Sequence, residues 1–220
     1  MPVRRMDINR IPFIGAYAFC NDKIVLFPKN VHLHPDESSI LGVPAVYTLI
    51  SKSPLLGILL AGNSNAIVCS EFFELEEEEK IREVGVELHH IPGKLTSFGN
   101  LVLANDYGAI VSPEFPDKTV KLLEKALQVK VVKSTIAGRP YVGSLGVATN
   151  KGVLLHPEVK EEEMKIIEKT LQVPADVGTA CGGVSFLGIC IIANSRGAVT
   201  GSTTTGPELG RIESSLGLME

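Results

Sequence analysis

The chain has 220 residues, a formal net charge of −4, 45% hydrophobic residues, 21 glycines and no tryptophan. A net acidic protein is not built mainly to grip nucleic acid by its phosphates, and no apolar run approaches the length of a membrane span. The opening Met1-Pro2-Val3-Arg4-Arg5 lacks the apolar core of an export signal, and Cys20, Cys69, Cys181 and Cys190 show neither CxxC spacing nor a histidine cluster, so they read as small core residues of a reducing cytoplasm.

From the N-terminus, residues 3–13 read as a strand with no unit of its own. A phrase then begins at Gly15 and returns at Gly57, Gly99, Gly143 and Gly188, at spacings of 42, 42, 44 and 45 residues. A fixed period of this length marks stacked or ring-closed copies of one supersecondary unit. The first copy has lost a residue at its turn, Asn21-Asp22-Lys23, and keeps Pro28 and Leu41-Gly42-Val43-Pro44. The second keeps Asn63 and carries Ala66 where the others have glycine. Its acidic run, Glu74 and Glu76 to Glu79, reads as an exposed helical start, where negative charge is favoured. Its His89-His90 pair, ahead of Pro92-Gly93, is expected to pack or cap at a strand end.

The third copy is the clearest. Asn100 to Ala104 and Ala109 to Val111 are short and β-branched, and the glycine of Asn105-Asp106-Tyr107-Gly108 is suited to a hairpin turn with φ > 0. Pro113 to Asp117 open a helix reaching about Leu127, with Val120, Leu123 and Leu127 on one face and Lys118, Lys121 and Lys125 on a solvated one. A third strand is predicted over Val129 to Ser134. The fourth copy repeats the apolar face as Met164, Ile167 and Leu171, the fifth as Leu209, Ile212 and Leu216. The unit is therefore ββαβ. The fifth copy stops at Leu218-Met219-Glu220, where its third strand should begin, and residues 3–13 are the spare strand. Joining them predicts one α/β domain over 1–220, a closed five-fold ring without the exposed edges an open solenoid must cap.

The familiar catalytic signatures are missing: no phosphate loop with its lysine, no GxSxG elbow and no HExxH helix. The Thr203-Thr204-Thr205-Gly206-Pro207-Glu208 stretch reads as ordinary helix-start chemistry. Cys181-Gly182-Gly183 is a cysteine in a loop-like context, but a thiolate nucleophile needs a base and a positive setting, and only His89 or His90 could be brought to it by the fold. No metal or cofactor is expected.

Leu95-Thr96-Ser97-Phe98-Gly99-Asn100 with Asn105-Asp106-Tyr107, Val142-Gly143-Ser144, His156-Pro157 and Thr204-Thr205-Gly206-Pro207-Glu208-Leu209 carry a resemblance over essentially the whole chain. They resemble the translation initiation factor 6 family, in its archaeal form because the chain ends at Glu220. The resemblance implies the pentein fold, a five-fold pseudosymmetric ring. It also implies a cytoplasmic, non-enzymatic and monomeric factor that binds the large (50S) ribosomal subunit, with a role in its maturation as a further implication. The factor would sit largely on a ribosomal protein with ribosomal RNA nearby, and sterically prevent joining of the small (30S) subunit. Two other classes stay open: a guanidine-modifying pentein enzyme using Cys181, and a ring-shaped protein-binding scaffold.

The residues following the repeating glycines, Ala16, Ile58, Asn100, Ser144 and Ile189, are expected to start strands along one rim. A specific surface should break the repeat symmetry, and the third and fourth units do so with polar groups. Asn100 is the leading contact candidate, the alternative being a turn cap for its own backbone. His90, on the loop feeding the same strand, is second. Related eukaryotic proteins tend to carry arginine at the positions of His90 and Ile58, and this chain departs there.

Overall fold

The computed structural model describes residues 2–29, 31, 39–71 and 75–219. After β1 (Val3–Arg5), the same order of elements recurs. The first unit has α1 (Ile14–Tyr17), β2 (Phe19–Cys20), β3 (Val25–Pro28) and β4 (Ala45–Thr48). The second has α2 (Leu56–Leu59), β5 (Ala61–Gly62), β6 (Ala66–Cys69), α3 (Leu75–Arg82) and β7 (Glu87–His90). The third has α4 (Phe98–Leu101), β8 (Val102–Ala104), β9 (Gly108–Val111), α5 (Asp117–Leu127) and β10 (Lys130–Lys133). The fourth has α6 (Val142–Leu145), β11 (Gly146–Ala148), β12 (Val153–Leu155), α7 (Glu161–Leu171) and β13 (Ala175–Val177). The fifth has α8 (Leu187–Cys190), β14 (Ile191–Ala193), β15 (Ala198–Thr200) and α9 (Gly206–Ser215).

Each unit forms a three-stranded sheet: an antiparallel hairpin, then a parallel strand beyond the intervening segment. In the last sheet the third strand is β1, which runs parallel to β15 with Val3 opposite Ala198 and Arg5 opposite Thr200. That pairing explains why the fifth copy can end without a strand of its own.

The long helices follow their apolar spacing. On α5, Thr119, Leu123, Ala126 and Leu127 are buried while Lys118, Lys121 and Lys125 face solvent. The helix ends at Gln128 in the left-handed region (φ 56°), and α7 ends the same way at Gln172 (φ 55°). Each apolar face packs on the neighbouring unit: α5 against β6, and α7 against β9. The cores accordingly lie between units. Ala61 and Val68 of the second unit share one with Phe98, Leu123 and Leu127 of the third. Ile192 and Val199 of the fifth unit share another with Ile14, Val25 and Phe27 of the first. Burying a residue such as Leu123 or Ile192 contributes about 1.5–3 kcal/mol over leaving it exposed, so each junction is held by a full core of its own.

The repeating glycines mark where backbones touch. A Cβ on Gly99 would lie 1.8 Å from the Gly57 carbonyl oxygen, and one on Gly57 at 1.8 Å from that of Gly15. The series continues from Gly143 to Gly99 (2.1 Å) and Gly188 to Gly143 (2.0 Å), then returns to its start from Gly15 to Gly188 (2.2 Å). Three expectations need correcting. Of residues 3–13 only Val3–Arg5 form the strand; the chain then turns through Asn9 and Arg10, both at positive φ, between the bridged Ile8 and Ile11. Gly108 has no positive φ; it is glycine because a Cβ there would sit 2.1 Å from the Thr170 carbonyl oxygen of the next unit's helix. The residues after the repeating glycines do not begin strands, since the backbone makes one helical turn first. Asn100 and Leu101 thus belong to α4, and the hairpin strand begins at Val102.

Candidate functional site

The one-turn helices α1, α2, α4, α6 and α8 pack side by side in circular succession, α8 meeting α1. They carry Ala16, Ile58, Asn100, Ser144 and Ile189. Ala16 and Ser144 are buried, while Ile58, Asn100 and Ile189 are half-buried. The polar pair is joined: the Ser144 hydroxyl donates to Asn100 Oδ1 at 2.9 Å, across the boundary between third and fourth units. Asn100 uses its backbone N–H on the Ser97 carbonyl at 3.0 Å. Its side chain therefore serves the neighbouring unit, and three of the five positions around it are apolar: Ala16, Ile58 and Ile189.

His90 lies apart from that pair. At the end of β7 its Nδ1 is 3.2 Å from the Ser70 carbonyl and its Nε2 3.2 Å from Glu78 Oε2. Glu78 also accepts from Arg82 Nε at 2.7 Å and is only 8% exposed. Burial pushes the Glu78 carboxyl up, but the bonds from Arg82 and His90 outweigh it and hold it below the ordinary range. The acidic run is thus not a uniformly solvated helical start: Glu78 is buried and bonded. Glu74 lies outside the described residues. Glu77 reaches back one unit, taking the N–H groups of Ser51 (2.8 Å) and Lys52 (3.0 Å).

That reach recurs, and reading the sequence copy by copy missed it. Glu163 accepts from Ala137 (2.8 Å), Gly138 (2.9 Å) and the Thr135 hydroxyl (2.5 Å) of the preceding unit, as well as from Lys160 on its own helix (2.9 Å). Glu208 accepts from Gly182 (3.1 Å), Gly183 (2.8 Å) and the Thr179 hydroxyl (2.8 Å), and from Thr205 of its own capping box (2.7 Å). Burial raises the Glu208 carboxyl, yet the donors around it bring it down to about 2. The signal was in the register: Glu77, Glu163 and Glu208 occupy one position of the repeat.

A second set of repeat positions also bridges successive units, including the junctions that Glu77 and Glu163 hold. Asn63 Nδ2 donates to the carbonyls of Asn105 (3.2 Å) and Leu127 (3.0 Å), and Asn105 Nδ2 to those of Thr149 (3.1 Å) and Leu171 (2.8 Å). Asn194 Nδ2 reaches Asn21 (3.3 Å) and Leu41 (2.8 Å) of the first unit, and Asn21 Nδ2 reaches Asn63 (2.8 Å). These side chains replace water at carbonyls buried between units, which otherwise would cost about 1–3 kcal/mol each.

Cys181 is buried, with its Sγ 3.4 Å from the Pro12 carbonyl and 3.8 Å from the Thr204 hydroxyl. Hydrogen bonding from the Cys190 thiol, against the effect of burial, lowers it to about 6. Its polar neighbours share no residue with those of His89, which meets Glu87, or with the Ser70 and Glu78 partners of His90. None of these contacts gives Cys181 a histidine base; the cysteine that meets one is Cys69, whose Sγ is 3.6 Å from His90 Nδ1, and burial with the nearby Glu78 charge pushes that thiol up to about 12, away from the thiolate that nucleophilic catalysis requires. Among the described residues no group of three His, Cys, Asp or Glu side chains could hold a metal ion, and no helix is long and apolar enough to cross a membrane.

Known proteins match this chain over its full length. The chain is 45% identical over 227 residues to translation initiation factor 6 of Pyrococcus furiosus, covering all of both chains. It is 40% identical over 222 residues to the protein of that name from Methanosarcina mazei (99% of this chain, all of the other). It is 44% identical over 227 residues to that from Thermococcus gammatolerans, again covering both completely. These names are those of a translation factor and not of an enzyme. The model of the eIF-6 family matches residues 3–215, and with that span and those full-length relatives the chain belongs to the eIF-6 family.

Proposed function

We propose that the chain is a translation initiation factor that binds the large (50S) ribosomal subunit and sterically blocks its association with the small (30S) subunit. The observation that carries this reading is the full-length similarity to relatives named translation initiation factor 6. The body that does the blocking is a single domain over 1–220, the five-fold pseudosymmetric pentein ring closed by the N-terminal strand. The glycine contacts that return from Gly188 to Gly15 and the pairing of β1 with β15 support this reading. A steric plug needs no nucleophile, cofactor or nucleotide; it needs a body that does not yield, and cores shared between successive units resist local opening.

The contact lies on the face of the one-turn helices, where Asn100 and Ser144 are the polar pair and Ile58 and Ala16 its apolar surround, with His90 at the margin. The partner there is a ribosomal protein, with ribosomal RNA nearby, which suits a chain of net charge −4. The factor acts as a cytoplasmic monomer. Sucrose-gradient sedimentation with separated subunits tests this. The protein is expected with large and not small subunits, and it should lower the yield of joined ribosomes as its concentration rises, without nucleotide. Equal binding to both subunits, or undiminished joining at saturation, overturns the proposal.

A further inference from the structure

One junction departs from the glutamate arrangement. At the position of Glu77, Glu163 and Glu208 the third unit carries Thr119. The turn that would face it is altered too. That turn runs from His90, the last paired residue of β7, to Gly99. It lacks the isolated bridge that closes the Ile50–Ser53, Ile136–Arg139 and Ala180–Val184 turns. It also contains Pro92, which has no N–H to offer. Both halves of the clasp have gone together.

What replaces them is a pocket of about 420 Å³ between this turn and the start of α5, with Leu95, Phe115 and Pro116 in its lining. Thr119 lines it and is 4% exposed, and among the described residues nothing hydrogen-bonds to its hydroxyl. The N-terminus of α5, an 11-residue helix, has no side-chain cap, unlike α7 and α9 with their glutamates. The backbone N–H groups of the exposed Gly93 and Lys94 make no backbone hydrogen bond among the described residues, and the exposed Lys94 and Lys118 are part of the pocket's lining. Glu114 also lines the pocket, and nearby Asp117 is held by Lys133 at 2.5 Å. Uncapped amides, a donor hydroxyl and two ammonium groups favour a carboxylate, as the three glutamates demonstrate at the equivalent junctions.

We propose that this pocket binds an acidic peptide segment of a partner protein, one carboxylate taking the place Glu163 and Glu208 fill elsewhere and an adjacent apolar side chain covering Leu95 and Phe115. The site lies at the helix start, and the proposal does not depend on ribosome binding through Asn100. The test uses the peptide acetyl-Leu-Glu-Phe-Glu-amide and its counterpart acetyl-Leu-Gln-Phe-Gln-amide, titrated into the intact 15N-labelled chain. The acidic peptide is expected to shift the amide signals of Gly93, Lys94 and Lys118 and to bind at least ten-fold more tightly than the glutamine peptide. Thr119→Glu, which supplies an internal carboxylate, should weaken binding by ten-fold or more; Lys118→Glu, on the exposed surface, should do so even if the first variant folds poorly. Equal binding of the two peptides, shifts elsewhere on the chain, no shift at millimolar peptide, or undiminished binding by both variants overturns the proposal.

Discussion

Glu208→Gln isolates the clasp between the fourth and fifth units. The carboxylate accepts from Gly182 and Gly183 of one unit, and from Thr205 of its own helix. Glutamine keeps the size but turns one acceptor oxygen into a donor facing N–H groups, and it removes the charge. A carboxyl brought from its ordinary 4.5 to about 2 corresponds to about 3 kcal/mol of stability at neutral pH. Solvent at the helix end screens part of that, leaving about 1–2 kcal/mol. For a chain of this size the expected loss is about 2–8 °C in Tm at pH 7. The sign with pH follows from the direction of the shift. The folded value is depressed, so the stabilisation is complete above about 4.5 and is lost as pH falls toward about 2. Urea unfolding of both proteins at intervals from pH 7 to pH 2.5 measures it. The gap between them should narrow steadily through the acid range. A gap that stays constant, or widens on acidification, refutes the assignment of the stabilisation to the ionised carboxylate.

Gly99→Ala should prevent stable folding or cost well over 3 kcal/mol, because its Cβ would lie 1.8 Å from a backbone oxygen; a Tm within a few degrees of the parent contradicts the close approach. Asn100→Ala removes the acceptor of the Ser144 hydroxyl and should cost about 1 kcal/mol of stability. If Asn100 also anchors the ribosomal partner, subunit affinity per folded molecule falls roughly five- to a hundred-fold, and unchanged affinity moves the contact elsewhere. His156, lowered by burial and by the Arg139 charge against the pull of Glu158, should titrate below 6.5 by NMR; its contribution to stability is present above that value and fades as pH falls, and a midpoint above 6.5 contradicts this. Deleting residues 1–13 takes buried Val3, Met6 and Ile8 and the β1 ladder from the fifth sheet, and should cost several kcal/mol; a truncated protein that melts like the full chain overturns closure by this strand.

How much was legible depended on whether a feature was carried by periodicity or by contact between copies. The long helices could be placed from Leu123 and Leu127, or Ile167 and Leu171, because an amphipathic face repeats within the helix itself. The one-turn helices could not. Leu187-Gly188-Ile189-Cys190 has no capping side chain, no acidic first turn and a central glycine, and so no local reason to be helical. Its turn is imposed by the approach of Gly188 to the Gly143 carbonyl, a contact between residues 45 apart. The glycines were visible as a repeat while their reason, backbone touching backbone, needed the neighbour in place.

The glutamates show the same division on a single side chain. Thr205-Gly206-Pro207-Glu208 is recognisable as a helix start, and Glu208 does cap Thr205. Its other oxygen contacts belong to a turn some 25 residues upstream, which no local pattern announces. Each such glutamate therefore does two jobs, closing its own helix and gripping the previous unit, and only the second is a statement about architecture. Where the chain gives up the glutamate, at Thr119, the local consequence is small because Pro116 and Asp117 still open a helix. The architectural consequence is the pocket beside Pro92, where the neighbouring unit's turn also lacks its bridge. Repeat symmetry thus supplies the reference against which one altered residue becomes interpretable, and the asymmetric positions, Thr119 and the Asn100–Ser144 pair, are where binding is to be sought.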